Sequence, residues 1–144
     1  MTVKHHLKGD TAVYALIGLF DREMAREFLI ANSTDYNQVG DALGAIIDYS
    51  EMTRFTISGL RIIQENLRGV KFETPVAFIG KPDSILITFL KGLEALTSRN
   101  NSRFAFFEDM AEARQWIDAW YTTNRKDRNA LRGQVSTKYY FPPR

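Results

Sequence analysis

The residues best suited to chemistry gather in the middle of the chain. Asp48 and Glu51 follow the apolar run Ala45-Ile46-Ile47, with Ser50, Thr53, Thr56 and Ser58 close behind. Open α/β sheets bind ligands at the carboxyl ends of their strands, so paired carboxylates there suit a cation or an acid–base pair. No third acidic or histidine partner stands in reach, and a solvated loop is the simpler reading of Asp48 and Glu51. A hydroxyl just ahead of a helix either caps free N–H groups or carries a phosphate that those groups stabilise. Thr56 and Ser58 fit both roles, with capping by Thr56 the simpler one.

Elsewhere the pickings are thinner. His5 and His6 are adjacent on an expected edge strand, so their side chains leave opposite faces and cannot chelate one ion together. A histidine-based triad would have to draw on that strand, and no nucleophile elbow is present. Gly80-Lys81-Pro82-Asp83-Ser84 lacks the glycines of a phosphate-cradling loop and reads as a turn with a helix cap. Trp116 and Trp120 share one helix face with Ala113 and Ile117, either in the core or lining an apolar pocket. No catalytic set, cofactor site or metal site emerges, and the expectation is a protein that is not an enzyme.

Composition agrees with a single globular unit. The chain has 144 residues, 44% hydrophobic and 25% charged, enough for its own core. With no cysteine, disulfides and thiolate metal sites are excluded. There is no apolar run of membrane-spanning length and no secretory layout at the start, so a cytoplasmic protein without stable membrane insertion is expected. Net charge is +2, but residues 122–144 hold six cations against one acid. The rest is therefore slightly acidic, which argues against a nucleic-acid interface. The basic tail, 124–144, ends in Tyr139-Tyr140-Phe141-Pro142-Pro143. It reads as a solvated end, as a docking arm for an acidic partner or membrane surface, or as a contact with a second copy in a homodimer.

The elements that must position these residues follow from periodicity. Val3–Leu7 and Val13–Phe20 read as strands joined by a tight hairpin at Gly9-Asp10. Asp21 caps a helix through Ala31, and a polar loop is expected over Asn32–Gly40. Leu43–Tyr49 reads as a strand buried on both faces, leading through a polar turn into a helix over Thr56–Arg68 that stops at Gly69. A strand over Pro75–Gly80 precedes a helix capped by Asp83 or Ser84, with Leu86, Phe89, Leu90, Leu93 and Leu96 inward. A last strand, Arg103–Phe107, precedes a helix opened by the Asp109–Glu112 capping box. This alternation predicts one α/β domain over residues 1–123. Its sheet is mostly parallel, of about five strands, with an antiparallel first strand and helices packed on it.

The element order and the segment Arg54-Phe55-Thr56-Ile57-Ser58-Gly59-Leu60 resemble the STAS domains, the family of the SpoIIAA-like anti-sigma-factor antagonists. In that family the loop typically reads Phe-Met-Asp-Ser-Ser-Gly-Leu, and its first serine is phosphorylated. Aligned on Gly59-Leu60, Ser58 falls on the second serine, Thr56 on the aspartate and Ile57 on the phosphorylated position. The usual phospho-switch is therefore not expected. The ending Phe106-Phe107-Glu108-Asp109, with Glu112-Ala113 and Trp116-Ile117, is similar to the SpoIIAA-like group that lacks the serine. Those domains share their fold with CRAL-TRIO lipid carriers.

The resemblance implies a non-catalytic regulatory module that binds a protein partner, such as an anti-sigma-like regulator. Its contact loop would comprise Asp48, Ser50, Thr53, Thr56, Ile57, Ser58 and Gly59, with Ile57 partly exposed as an apolar anchor. The alternative is a carrier or sensor of a small apolar or lipid ligand, to which the ten phenylalanines and the tryptophan pair also point.

Overall fold

The computed structural model describes residues 2–8, 11–39, 44–67, 74–97 and 104–123. In chain order the elements are β1 (Thr2–Lys8), β2 (Thr11–Phe20), α1 (Arg22–Val39), β3 (Gly44–Asp48), β4 (Met52–Phe55), α2 (Ile57–Leu67), β5 (Val76–Ile79), α3 (Ser84–Thr97), β6 (Phe104–Phe107) and α4 (Met110–Thr123).

One mixed sheet runs β1-β2-β3-β5-β6. β1 pairs antiparallel with β2, from Thr2 opposite Ile17 to Lys8 opposite Thr11, as a hairpin requires. The expected turn at Gly9-Asp10 lies outside the described residues. β2, β3, β5 and β6 are mutually parallel neighbours. The two-residue side-chain period divides their residues between two cores. Ala12, Tyr14, Leu16, Ala45, Val76 and Phe78 face the layer of α1, α2 and α3. Val13, Ile46, Ala77 and Ile79 meet Ala113 and Ile117 of α4 on the other side. Coverage of both faces explains why Gly44, Ala45 and Ile46 are buried in succession.

Two expectations are corrected. The polar loop foreseen over Asn32–Gly40 is helical as far as Val39. Nothing between Arg22 and Val39 is Gly or Pro, and Asn32 is buried, its side chain held by the Tyr14 hydroxyl at 3.1 Å. The helix therefore has a tertiary anchor where composition alone suggests an end. The polar turn after β3 likewise contains a short strand, β4, parallel to the last residues of β2. β3 leaves β2 after the Ala15–Asp48 pair, and β4 takes up Gly18 to Phe20 after a register shift between Gly18 and Leu19. Without β4 those three backbone units would lose sheet partners. Four residues with a weak apolar pattern suffice.

The helix starts were legible. Thr56, Asp83 and Asp109 are the caps of α2, α3 and α4: each side chain accepts from a first-turn N–H, of Gly59 (3.0 Å), Leu86 (2.9 Å) and Ala111 (2.8 Å). Asp21 does the same for Met24 at 3.0 Å. The expected stop of α2 at Gly69, the side chains of Leu67 and Leu96, and the tail 124–144 lie outside what is described.

Candidate functional site

The site is built from the carboxyl ends of β3 and β5 and the helix starts that follow. The Asp48–Ile79 pair sets Tyr49 beside Gly80, and the Tyr49 N–H donates to Ile79 O at 2.9 Å. A turn then forms, with the Met52 N–H donating to Tyr49 O at 3.0 Å. Asp48 Oδ1 accepts from the Ser50 N–H at 2.9 Å and the Ser50 hydroxyl at 2.6 Å. Asp48 thus stabilises its own loop. Glu51 is exposed and its carbonyl accepts from the Gly18 N–H at 3.1 Å. These contacts favour the solvated-loop reading of the acidic pair. Among the described residues no three acidic or histidine side chains cluster as metal ligands do.

At the start of α2, Thr56 is more than a cap. Its N–H donates to Phe20 O at 2.9 Å, and its hydroxyl lies 3.2 Å from that of Ser58. Gly59 is buried where α2 crosses the end of β2, and a Cβ there would fall 2.8 Å from Phe20 O. The glycine of the Ser-Gly-Leu signature is thus a packing requirement set by backbone, which cannot retreat as a side chain can. Ile57 projects outward with 62% of its surface exposed. Thr53 and Ser58 are exposed as well.

The loop from β5 supplies the facing wall, which sequence reasoning missed. The Tyr49 hydroxyl donates to Lys81 O at 3.0 Å, and a Cβ on Gly80 would lie 2.4 Å from Tyr49 Cε2. Burial, and secondarily the charge of Asp83, raises the Tyr49 pKa above the usual phenol value. Between the loops lies an open hollow of about 430 Å³, walled by Tyr49, Thr53, Arg54, Lys81 and Asp83 among others. Ile85, in the first turn of α3, is 62% exposed like Ile57. The signal available in sequence was the equal standing of residues 49 and 80 at the ends of two successive buried strands, which become neighbours when a parallel sheet forms.

Beneath this hollow a second, apolar cavity of about 100 Å³ lies between the sheet and α1, α2 and α3. Tyr49, Met52 and Leu86 wall both spaces. Trp120 is buried, and Trp116 packs on Phe107 with ring centres 5.8 Å apart. Neither tryptophan is among the described residues around the cavity. His5 and His6 are exposed on β1, opposite Tyr14 and Val13, well apart from the site in the fold.

The fold is that of SpoIIAA-like proteins. Over 81% of its length the chain superposes on 92% of an uncharacterized protein of the DUF3478 family with a SpoIIAA-like fold from Shewanella loihica PV-4, with a TM-score of 0.56 and 18% identity. An anti-sigma factor antagonist from Mycobacterium paratuberculosis matches with the same TM-score at 17% identity, covering 81% of this chain and 93% of that one. No family model matches the sequence, and no curated protein matches it significantly. The likeness is one of fold, as the STAS-type element order led us to expect. Among the described residues no helix is long and apolar enough to cross a membrane.

Proposed function

We propose that this protein is a non-catalytic regulatory module that binds a protein partner through the β3–α2 loop, without the serine phospho-switch of the STAS domains its loop resembles. The observation that carries this reading is Ile57: a large aliphatic side chain, 62% exposed, aligned on Gly59-Leu60 with the position that is a phosphorylated serine in the STAS domains the loop resembles. An isolated exposed isoleucine needs no explanation by itself. Here it stands on a loop in which Asp48 is bonded to Ser50 and Thr56 to Gly59. What remains outward is an apolar anchor with exposed Thr53, Arg54 and Ser58 around it, a combination suited to the centre of an interface. The likeness to an anti-sigma factor antagonist supports a partner of regulatory type.

The test is a pull-down from the native host with wild type, Ile57→Asp and, as a control on α1, Ile30→Asp. A partner kept by wild type and the control but lost by Ile57→Asp supports the reading; equal recovery of every partner by all three overturns it.

The apolar cavity favours a second reading, in which the module carries or senses a small apolar ligand. Native mass spectrometry of gently purified protein tests it, together with titration by apolar probes. A clean apo mass and no saturable binding would count against it.

A further inference from the structure

We propose that the cavity selects small, uncharged molecules with an apolar body and a single carbonyl-type acceptor, and that Asn32 is the selecting residue. This deepens the second reading above and rests on it. Among the described residues lining the cavity, only Asn32 and Tyr49 carry polar side-chain atoms. The Tyr49 hydroxyl is committed outward, to Lys81 O. Asn32 is different: it is 7% exposed, and its Oδ1 accepts from the Tyr14 hydroxyl at 3.1 Å. That bond orients the carboxamide and leaves the Nδ2 hydrogens without an acceptor among the described residues. A buried amide donor left unmatched costs free energy that an acceptor on a ligand would recover.

The rest of the wall defines the rest of the ligand. Leu16, Phe28, Leu29, Phe78, Leu90 and Leu93 surround the space with hydrocarbon. Among the described residues no lysine, arginine or histidine lines it, so a carboxylate or phosphate would be buried without a counter-charge from them, at far greater cost than a neutral carbonyl. Free fatty acids seated head-first are therefore disfavoured. At about 100 Å³ the space is of the order of apolar cavities that take up a single benzene-sized ring. A cyclic or short-chain ketone, aldehyde or amide fits these requirements.

The experiment compares two probes of one shape, cyclohexanone and methylenecyclohexane, titrated by NMR into wild type and into Asn32→Leu, a substitution of similar volume. The ratio of the ketone affinity to the hydrocarbon affinity should fall about fivefold or more in Asn32→Leu, the value of one buried hydrogen bond. In wild type, the Asn32 side-chain NH₂ resonances should shift with the ketone and stay in place with the hydrocarbon, a readout that stands even if Asn32→Leu does not fold. Hydrocarbon binding with an unchanged ratio, or with unmoved Asn32 NH₂ resonances on ketone addition, overturns the role of Asn32 and leaves the cavity reading intact. Saturable binding of neither probe overturns both.

Discussion

Tyr49 closes over Gly80: a Cβ on Gly80 would lie 2.4 Å from the ring, and the hydroxyl reaches one residue further to Lys81 O at 3.0 Å. This contact joins the β3 and β5 loops and forms part of the wall between the hollow and the cavity. Gly80→Ala should destabilise the protein by about 1–3 kcal/mol, through overpacking against the ring and through a backbone φ of 158° that side-chain-bearing residues rarely adopt. Because the clash is with a side chain, Tyr49→Leu should remove much of it, so the double variant should lose less than the sum of the single losses. Urea denaturation of the four proteins measures the coupling, and strict additivity would show that the ring is not what limits residue 80.

The same tyrosine should give the protein an alkaline limit. Its pKa is raised in the folded state, chiefly by burial and also by Asp83, so folding holds the phenol proton more tightly than the unfolded chain does. The corresponding stability is fully present below the unfolded value of about 10 and is lost as pH rises through the folded value. Unfolding free energy measured from pH 8 to 11.5 should fall more steeply in wild type than in Tyr49→Phe. Parallel curves would assign the alkaline loss to other groups.

Two helical glycines should respond with opposite sign. At Gly59 an added methyl meets Phe20 O at 2.8 Å and the Asp21 backbone at 3.0 Å. Neither can rotate away, so Gly59→Ala should cost about 1–3 kcal/mol. At Gly92, in α3, nothing lies within 4 Å, and Gly92→Ala should add about 0.5–1 kcal/mol from helix propensity. Thermal melts of the two variants decide this, and destabilisation by both would mean that α3 is constrained at Gly92 by something other than sterics.

Much of this fold was legible because its signals are local. Asp83 and Asp109 announce their helices, and the unbroken apolar run from Ala45 to Ile47 requires a strand covered on both sides. Three features resisted because their cause is distant in sequence. The continuation of α1 past Ala31 depends on Asn32 meeting Tyr14, 18 residues earlier. β4 exists because β2 outlasts its pairing with β3, a property of β2 that Met52–Phe55 does not display. The site shows the same division: Thr56 and Ile57 could be placed from their neighbours, whereas the bond from Tyr49 to Lys81 spans 32 residues and appears only when β3 and β5 lie side by side.

The first turn of α2 separates stability from the proposed contact. Thr56 Oγ1 accepts from the Gly59 N–H, so Thr56→Ala should cost about 1 kcal/mol as the cap is lost. Thr56→Ser should retain most of it, because the hydroxyl is kept. Ile57, one residue on, is largely exposed, and its replacement by Asp removes little buried surface while placing a negative charge at the positive end of the helix. Ile57→Asp should therefore be as stable as wild type or more so, by up to about 1 kcal/mol. Chemical denaturation of the three variants checks this before any binding comparison. A large loss in Ile57→Asp would mean that the side chain supports the fold, and its effect on partner recovery could then not be assigned to the surface.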